Sequence, residues 1–113
     1  MLTQEELFGK CPYATAQRIL SGKWAVVILH HLSEKKLRFN ELQRLLPEIT
    51  QATLTKQLRA LEEYGVVNRT VYAQIPPKVE YDLSDIGKEF IEVLDSLKAW
   101  SDKYIVFCNS KDK

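Results

Sequence analysis

Gln51, Thr55, Lys56 and Arg59 combine two kinds of chemistry within one short stretch. An amide and a hydroxyl can hydrogen-bond to a base edge or a phosphate oxygen, and two cations can neutralise a polyanion. Leu54, Leu58 and Leu61 repeat at helical spacing beside them. Advancing about 100° per residue from Leu54 puts Ala52, Lys56, Arg59 and Glu63 near the opposite side, with Thr55 flanking. A helix that buries its leucines and turns this polar, cationic set outward is suited to the major groove of double-stranded DNA. In that role Gln51 is the candidate for adenine, and Arg59 for guanine or phosphate. Thr55 and Lys56 are better placed for positioning contacts to the backbone.

Two other groups invite chemistry. Cys11 stands just before Pro12, at the expected start of a helix, where the helix dipole favours a reactive thiolate. The alternative is a small buried side chain near a subunit interface. Cys11 and Cys108 have no CxxC spacing, which argues against a structural zinc site and against a disulfide scaffold. Whether Cys108 can reach Cys11 of either subunit is left open by the sequence. His30 and His31 are neighbours on an expected helix, and adjacent residues there point about 100° apart. With no further ligand cluster evident, no metal site and no cofactor are expected, and His31 reads as a core or interface histidine. There is no glycine-rich phosphate loop, no nucleophile elbow and no paired nucleophile and base, so an enzyme is not expected.

The elements that must position these residues follow from pattern and punctuation. Pro12 opens a helix to about Leu20, which Ser21-Gly22 stops. Trp24, Val27, Ile28 and Leu32 share a face of a second helix, Lys23 to about Ser33. A short extended stretch at Leu37-Arg38 leads into an amphipathic helix marked by Phe39, Leu42, Leu45 and Leu46 and ended by Pro47. Thr50 is the expected N-cap of the next helix, with Ile49 and Leu54 in hydrophobic-staple positions. Gly65 is expected to take the left-handed position beyond its end, with Val66 closing on Leu61. Val67 to Tyr72 and Val79, Tyr81 and Leu83 then read as two strands joined through Pro76-Pro77. A hairpin directly after a helix-turn-helix is a wing. Arg69, Gln74 and Lys78 are its candidate DNA contacts. Arg38, at the start of the helix preceding Thr50, is a candidate phosphate or wing-base contact, and Thr50 is counted among the candidate DNA-binding residues.

The expected fold is therefore α+β, mainly α. It is a winged helix-turn-helix with a two-stranded β wing and N- and C-terminal dimerisation helices. One domain spans residues 1–113: helix-turn-helix about 39–64, wing about 66–83, C-terminal helix about 84–107. Along that last helix Ile86, Phe90, Val93, Leu97, Trp100, Tyr104 and Phe107 alternate spacings of four and three, a heptad stripe. The stripe offers more apolar surface than a domain this small can cover. Val93, Leu97, Trp100, Tyr104 and Phe107 are its expected dimer contacts.

Charge is segregated. The formal net charge of the 113 residues is only +1. From Lys35 to Arg59, however, six basic residues face two acids, and from Ser84 to Asp102 five acids face two bases. A basic middle and an acidic C-terminal helix let one face approach a polyanion. The N-terminal residues lack a signal-peptide core, and no apolar run reaches membrane-spanning length, so a cytoplasmic location without membrane contact is expected.

The strings LRFNELQRLLPEITQATLTKQLRALEEYGVVNR and VYAQIPPKVEYDLSDIG, with CPYATAQRILSGKW and WAVVILHHL upstream, resemble the HxlR-type transcriptional regulators, relatives of the MarR group. The resemblance runs from about Cys11 to Trp100 and is specific through the combination of CP, GKW, RFNEL and PPKVEY. It implies a homodimer on operator DNA, with the dimer built from terminal helices. Several members sense oxidants or electrophiles through a cysteine in the CP context, which would give Cys11 that role. Many members carry a basic residue where this chain has Ala52, so one cation of that pattern is missing. The resulting expectation is a sequence-specific, homodimeric repressor answering a thiol-reactive or small-molecule signal. Trp24 and Tyr104 are candidate walls of an effector pocket. The rival from another class is a winged-helix module that grips an acidic protein.

Overall fold

The computed structural model describes residues 1–111, so the last two residues of the expected domain lie outside it. Seven helices and three strands run in the order α1 (Gln4–Leu7), α2 (Pro12–Ile19), α3 (Ala25–Glu34), β1 (Leu37–Arg38), α4 (Phe39–Leu45), α5 (Gln51–Glu63), β2 (Val67–Tyr72), β3 (Lys78–Leu83), α6 (Asp85–Glu89) and α7 (Ile91–Lys111) among the described residues.

The core is built from the apolar stripes read in the sequence. Ile28 and Leu29 of α3, Leu42 of α4, and Leu54, Leu58 and Leu61 of α5 are buried against Leu37, Val67, Tyr81 and Leu83 of the sheet. Ile49, which precedes the α5 cap, is buried too, as a staple requires. Trp24 stands at the N-cap position of α3 and packs half-buried on this core, so α3 begins at Ala25, two residues after the expected Lys23.

The wing is a hairpin set in a larger sheet. β2 and β3 pair antiparallel from Val67 opposite Leu83 to Tyr72 opposite Lys78. β1 adds on the other edge of β3, Leu37 opposite Tyr81 and Arg38 opposite Glu80, so the sheet has three strands in the order β1-β3-β2. The expected two-stranded wing is thus present as β2 and β3, and the extended Leu37-Arg38 stretch joins it as a third strand of the sheet. The physical reason is that the extended Leu37-Arg38 pair satisfies the backbone groups of an otherwise open β3 edge and buries Leu37 in doing so.

The single C-terminal helix expected from about 84 is also corrected. Ser84 caps α6 by accepting from the Gly87 amide, but the Phe90 amide bonds to the Gly87 carbonyl, and α7 starts afresh at Ile91. Ile86 therefore sits on a separate short helix, and the stripe on α7 begins with Val93. Gly87 is the reason α6 can lie where it does. A Cβ at that position would overlap the Val66 carbonyl oxygen and crowd Leu83. α1, absent from the expectation, is held by a Thr3–Glu6 capping box: the Thr3 hydroxyl accepts from the Glu6 amide at 3.1 Å.

Gly87→Ala tests this packing. Alanine normally favours a helix by about 1 kcal/mol over glycine, yet here overpacking should destabilise the fold by about 1–3 kcal/mol. Urea unfolding followed by tryptophan fluorescence measures it, and a stabilised variant would remove the close approach from the account.

Candidate nucleic-acid interface

α5 is held at both ends by the devices its sequence announces. Thr50 Oγ1 accepts from the Thr53 amide at 3.1 Å. At the other end Gly65 takes φ +79°. Its amide donates to Glu62 O at 2.9 Å and the Val66 amide to Leu61 O at 3.2 Å. That pair is a complete Schellman closure, and it turns the chain straight into β2. The turn before α5 is braced from α4, where the Gln43 side-chain amide donates to Ile49 O at 2.5 Å.

With its ends fixed, α5 presents the expected residues. Gln51, Lys56 and Arg59 are exposed, and Thr55 is half-buried with its hydroxyl donating to Gln51 O at 2.9 Å. Thr55 thus keeps only its acceptor capacity for an outside partner. Arg38 is exposed at the root of α4, where its own amide is bound by the Glu41 carboxylate at 2.8 Å.

The fold also brings together residues that sequence spacing does not connect. Thr55, Arg59 and Glu62 of α5 meet Arg69 and Tyr81 of the sheet around one polar cleft between helix and wing. Glu62 and Tyr81 were not among the sequence candidates; only the three-dimensional approach of β2 to α5 reveals them. Among the described residues Arg38, Arg44, Lys56, Arg59 and Arg69 have no acid within ion-pair distance. Lys78 differs. It pairs with Glu80 at 3.7 Å, and its ammonium lies 4.8 Å from the centre of the Tyr72 ring, so it braces the wing. Gln74 is exposed in the connector.

The N-terminal segment reaches the same helix from behind. Phe8 packs on Tyr64, the C-cap residue of α5, with ring centroids 5.8 Å apart. Arg18 of α2 donates from Nε to the Tyr64 hydroxyl at 3.2 Å and lies 5.8 Å from the Phe8 ring centre. Cys11, the N-cap residue of α2, is a half-buried free thiol. Its amide bonds to Leu7 O at 2.8 Å, and its carbonyl accepts from the Thr15 hydroxyl at 2.7 Å. Cys108 is a second free thiol, half-buried within α7. His31 is half-buried, and burial first, then the charge of His30, pulls its imidazole below the usual histidine range.

An apolar cavity of about 280 Å³ lies between α2, α3, α6 and α7, lined chiefly by Ile19, Leu20, Leu29, Ile86, Phe90 and Val93. Neither Trp24 nor Tyr104 is in its wall. Both are committed elsewhere: Trp24 to the core and Tyr104 to a stack on Trp100 at 5.2 Å.

A helix-turn-helix followed by a β hairpin, with the second helix presenting unpaired cations, defines a winged-helix DNA-binding protein. Residues 19–107 match the HxlR-like helix-turn-helix family, and the chain belongs to it. The HTH-type transcriptional regulator YdeP of Bacillus subtilis (strain 168) is 48% identical over 97 residues, covering 86% of this chain and 76% of YdeP. The regulator YtcD of the same organism is 54% identical over 87 residues, covering 77% of this chain and 69% of YtcD. Among solved structures, the redox regulator HypR in its reduced form superimposes with a TM-score of 0.83 at 39% identity, over 88% of this chain and 98% of HypR. The chain is a helix-turn-helix transcriptional regulator. No helix among the described residues is long and apolar enough to cross a membrane.

Thr50→Ala should lower stability by about 1 kcal/mol while Thr50→Ser stays near the parent, as read by urea unfolding. Equal midpoints for alanine and parent would show that the cap does not hold α5.

Proposed function

We propose that two copies of this chain bind a pseudo-palindromic operator as a repressor, each setting α5 into a major groove about 34 Å from the other. The observation that carries the reading is the convergence of Arg59 and Arg69, both without an acid partner, on one cleft between recognition helix and wing. A protein held together by its charges would pair them; here they are left for an outside anion. Arg59 and Gln51 read bases, whereas Lys56, Arg38 and Arg69 position phosphates. The Thr50 and Thr55 hydroxyls, which donate to Thr53 Oγ1 and Gln51 O, are left to accept from a base amino group. Gln74 reaches from the wing, and Lys78 keeps the wing's shape.

The dimer reading rests on α7. It is 21 residues long and has no buried residue, yet it carries Val93, Leu97, Trp100, Tyr104 and Phe107 on its exposed surface. Trp100 is 62% exposed. A monomer would leave that aromatic ladder in water, at about 25 cal/mol for each Å² of apolar surface.

Cys11 is proposed as the sensor. Support comes from the likeness to HypR, a redox regulator solved in both reduced and oxidised forms, and from the route to the DNA-facing helix. Oxidising Cys11 changes the bulk and charge at the α2 N-cap. Leu7 O accepts the Cys11 amide, and Phe8 follows in the chain to press on the Tyr64 cap of α5. A disturbance at the thiol thus reaches the end of the recognition helix in few steps.

Operator duplexes selected from a random pool supply the assay. With about six phosphates neutralised, log affinity against log salt should fall with a slope near about −5. Arg59→Ala should cost at least about 1 kcal/mol with the dimer intact. A slope near zero, or tight binding to an acidic protein that DNA does not displace, would favour the protein-interaction module instead. Separately, a thiol oxidant should change operator affinity of the parent but not of Cys11→Ser. An unchanged response in that variant would remove Cys11 as the sensor.

A further inference from the structure

We propose that His30, His31 and Glu34 form a binding site for a borderline divalent cation of the zinc, cobalt and nickel class at the C-terminal end of α3. The donor atoms of the three side chains lie within 4.8 Å of one another. The expectation that adjacent histidines diverge fails here, because both side chains lean to the same edge: their ring centroids are 5.1 Å apart with planes tilted by 47°. His30 Nε2 and Glu34 Oε1 are separated by 3.2 Å, one helical turn apart. Metal–nitrogen and metal–oxygen bonds of about 2.0–2.2 Å place tetrahedral ligands about 3.4 Å from each other, so this pair already stands at chelating distance. The His31 donor atom, within 4.8 Å of the other two, reaches the third position by a side-chain rotation, and water completes the sphere.

Three further features suit a cation. The site occupies the last turn of α3, where the negative end of the helix dipole and its unpaired carbonyls lie. His30 and Glu34 also line one wall of a groove whose other wall, from α7, includes Asp95. The lysine in that groove, Lys98, has its ammonium bound to Asp102 at 2.8 Å. Two imidazoles and one carboxylate select borderline metals over magnesium or calcium, which prefer all-oxygen shells. An ordinary His30–Glu34 helix pair would account for two of the three side chains but gives no reason for His31 to join them. The site is independent of the operator reading and uses neither thiol.

The test is titration of the full chain with zinc and with cobalt, both as parent and as Cys11→Ser/Cys108→Ser, which removes thiolate ligands. One cation per chain is expected in both. The cobalt complex should show visible ligand-field bands without an intense near-ultraviolet thiolate band. His30→Ala and Glu34→Gln change exposed positions and leave the fold intact, and each should weaken binding by at least about tenfold. Zinc should also raise the thermal midpoint of the Cys-free chain and fail to do so for His30→Ala. Absence of saturable binding in the Cys-free chain, or affinity unchanged by both substitutions, would overturn the proposal.

Discussion

The junction of Gly65, Ser84 and Gly87 is the constraint on which the geometry of this molecule depends. Gly65 in a left-handed conformation ends α5 and directs the chain into β2. Its carbonyl accepts from the Ser84 hydroxyl at 2.6 Å, and the Ser84 amide donates to Val66 O at 3.0 Å. The same Ser84 oxygen accepts from the Gly87 amide and so starts α6, which fits only because Gly87 has no side chain to strike Val66. One serine thus fastens the end of the recognition helix, the root of the wing and the lead into α7. The surface proposed to meet an operator and the helix proposed to meet a second copy are set by the same three residues. In the proposed dimer, a joint fixed in this way would carry the spacing between two subunits into the spacing between two recognition helices.

Local chemistry made much of this legible in the sequence. Thr50 and Gly65 mark the ends of α5 because a hydroxyl acceptor and a residue free to adopt positive φ each have a specific job there. The leucine spacing of α5 gave its buried face, and the outward residues followed. What stayed hidden depends on contacts between distant segments. The pairing of Leu37 with Tyr81 needs β3 to arrive beside β1. The break at Phe90 follows from α6 being clamped against Val66, which heptad spacing cannot register. Arg59 and Arg69 share a cleft, and Phe8, Arg18 and Tyr64 form a clasp, only once the chain is folded. The Thr3–Glu6 capping box was readable as a T-x-x-E signal, but four helical residues carry no apolar periodicity to draw attention to it. For His30 and His31, ideal helical angles describe the Cα–Cβ directions and miss the convergence of the ring nitrogens.

Charge and apolar surface divide the labour. Unpaired arginines gather where α5 faces the wing, while acids lie along α6 and α7. The apolar surplus on α7 and the exposed Tyr13 of α2 are far more than isolated surface hydrophobics. A second copy would cover that surplus and keep the acidic helices away from the phosphates. Under the two proposals, regulation would have two points of entry, a thiol whose neighbours touch the α5 cap and a cation site at the C-terminal end of α3.

The most direct measurement is the footprint and stoichiometry of the protein on a selected operator. The account predicts two chains per duplex, protecting two major-groove patches one helical turn apart on the same face. One chain per duplex, or a single protected patch, would contradict it.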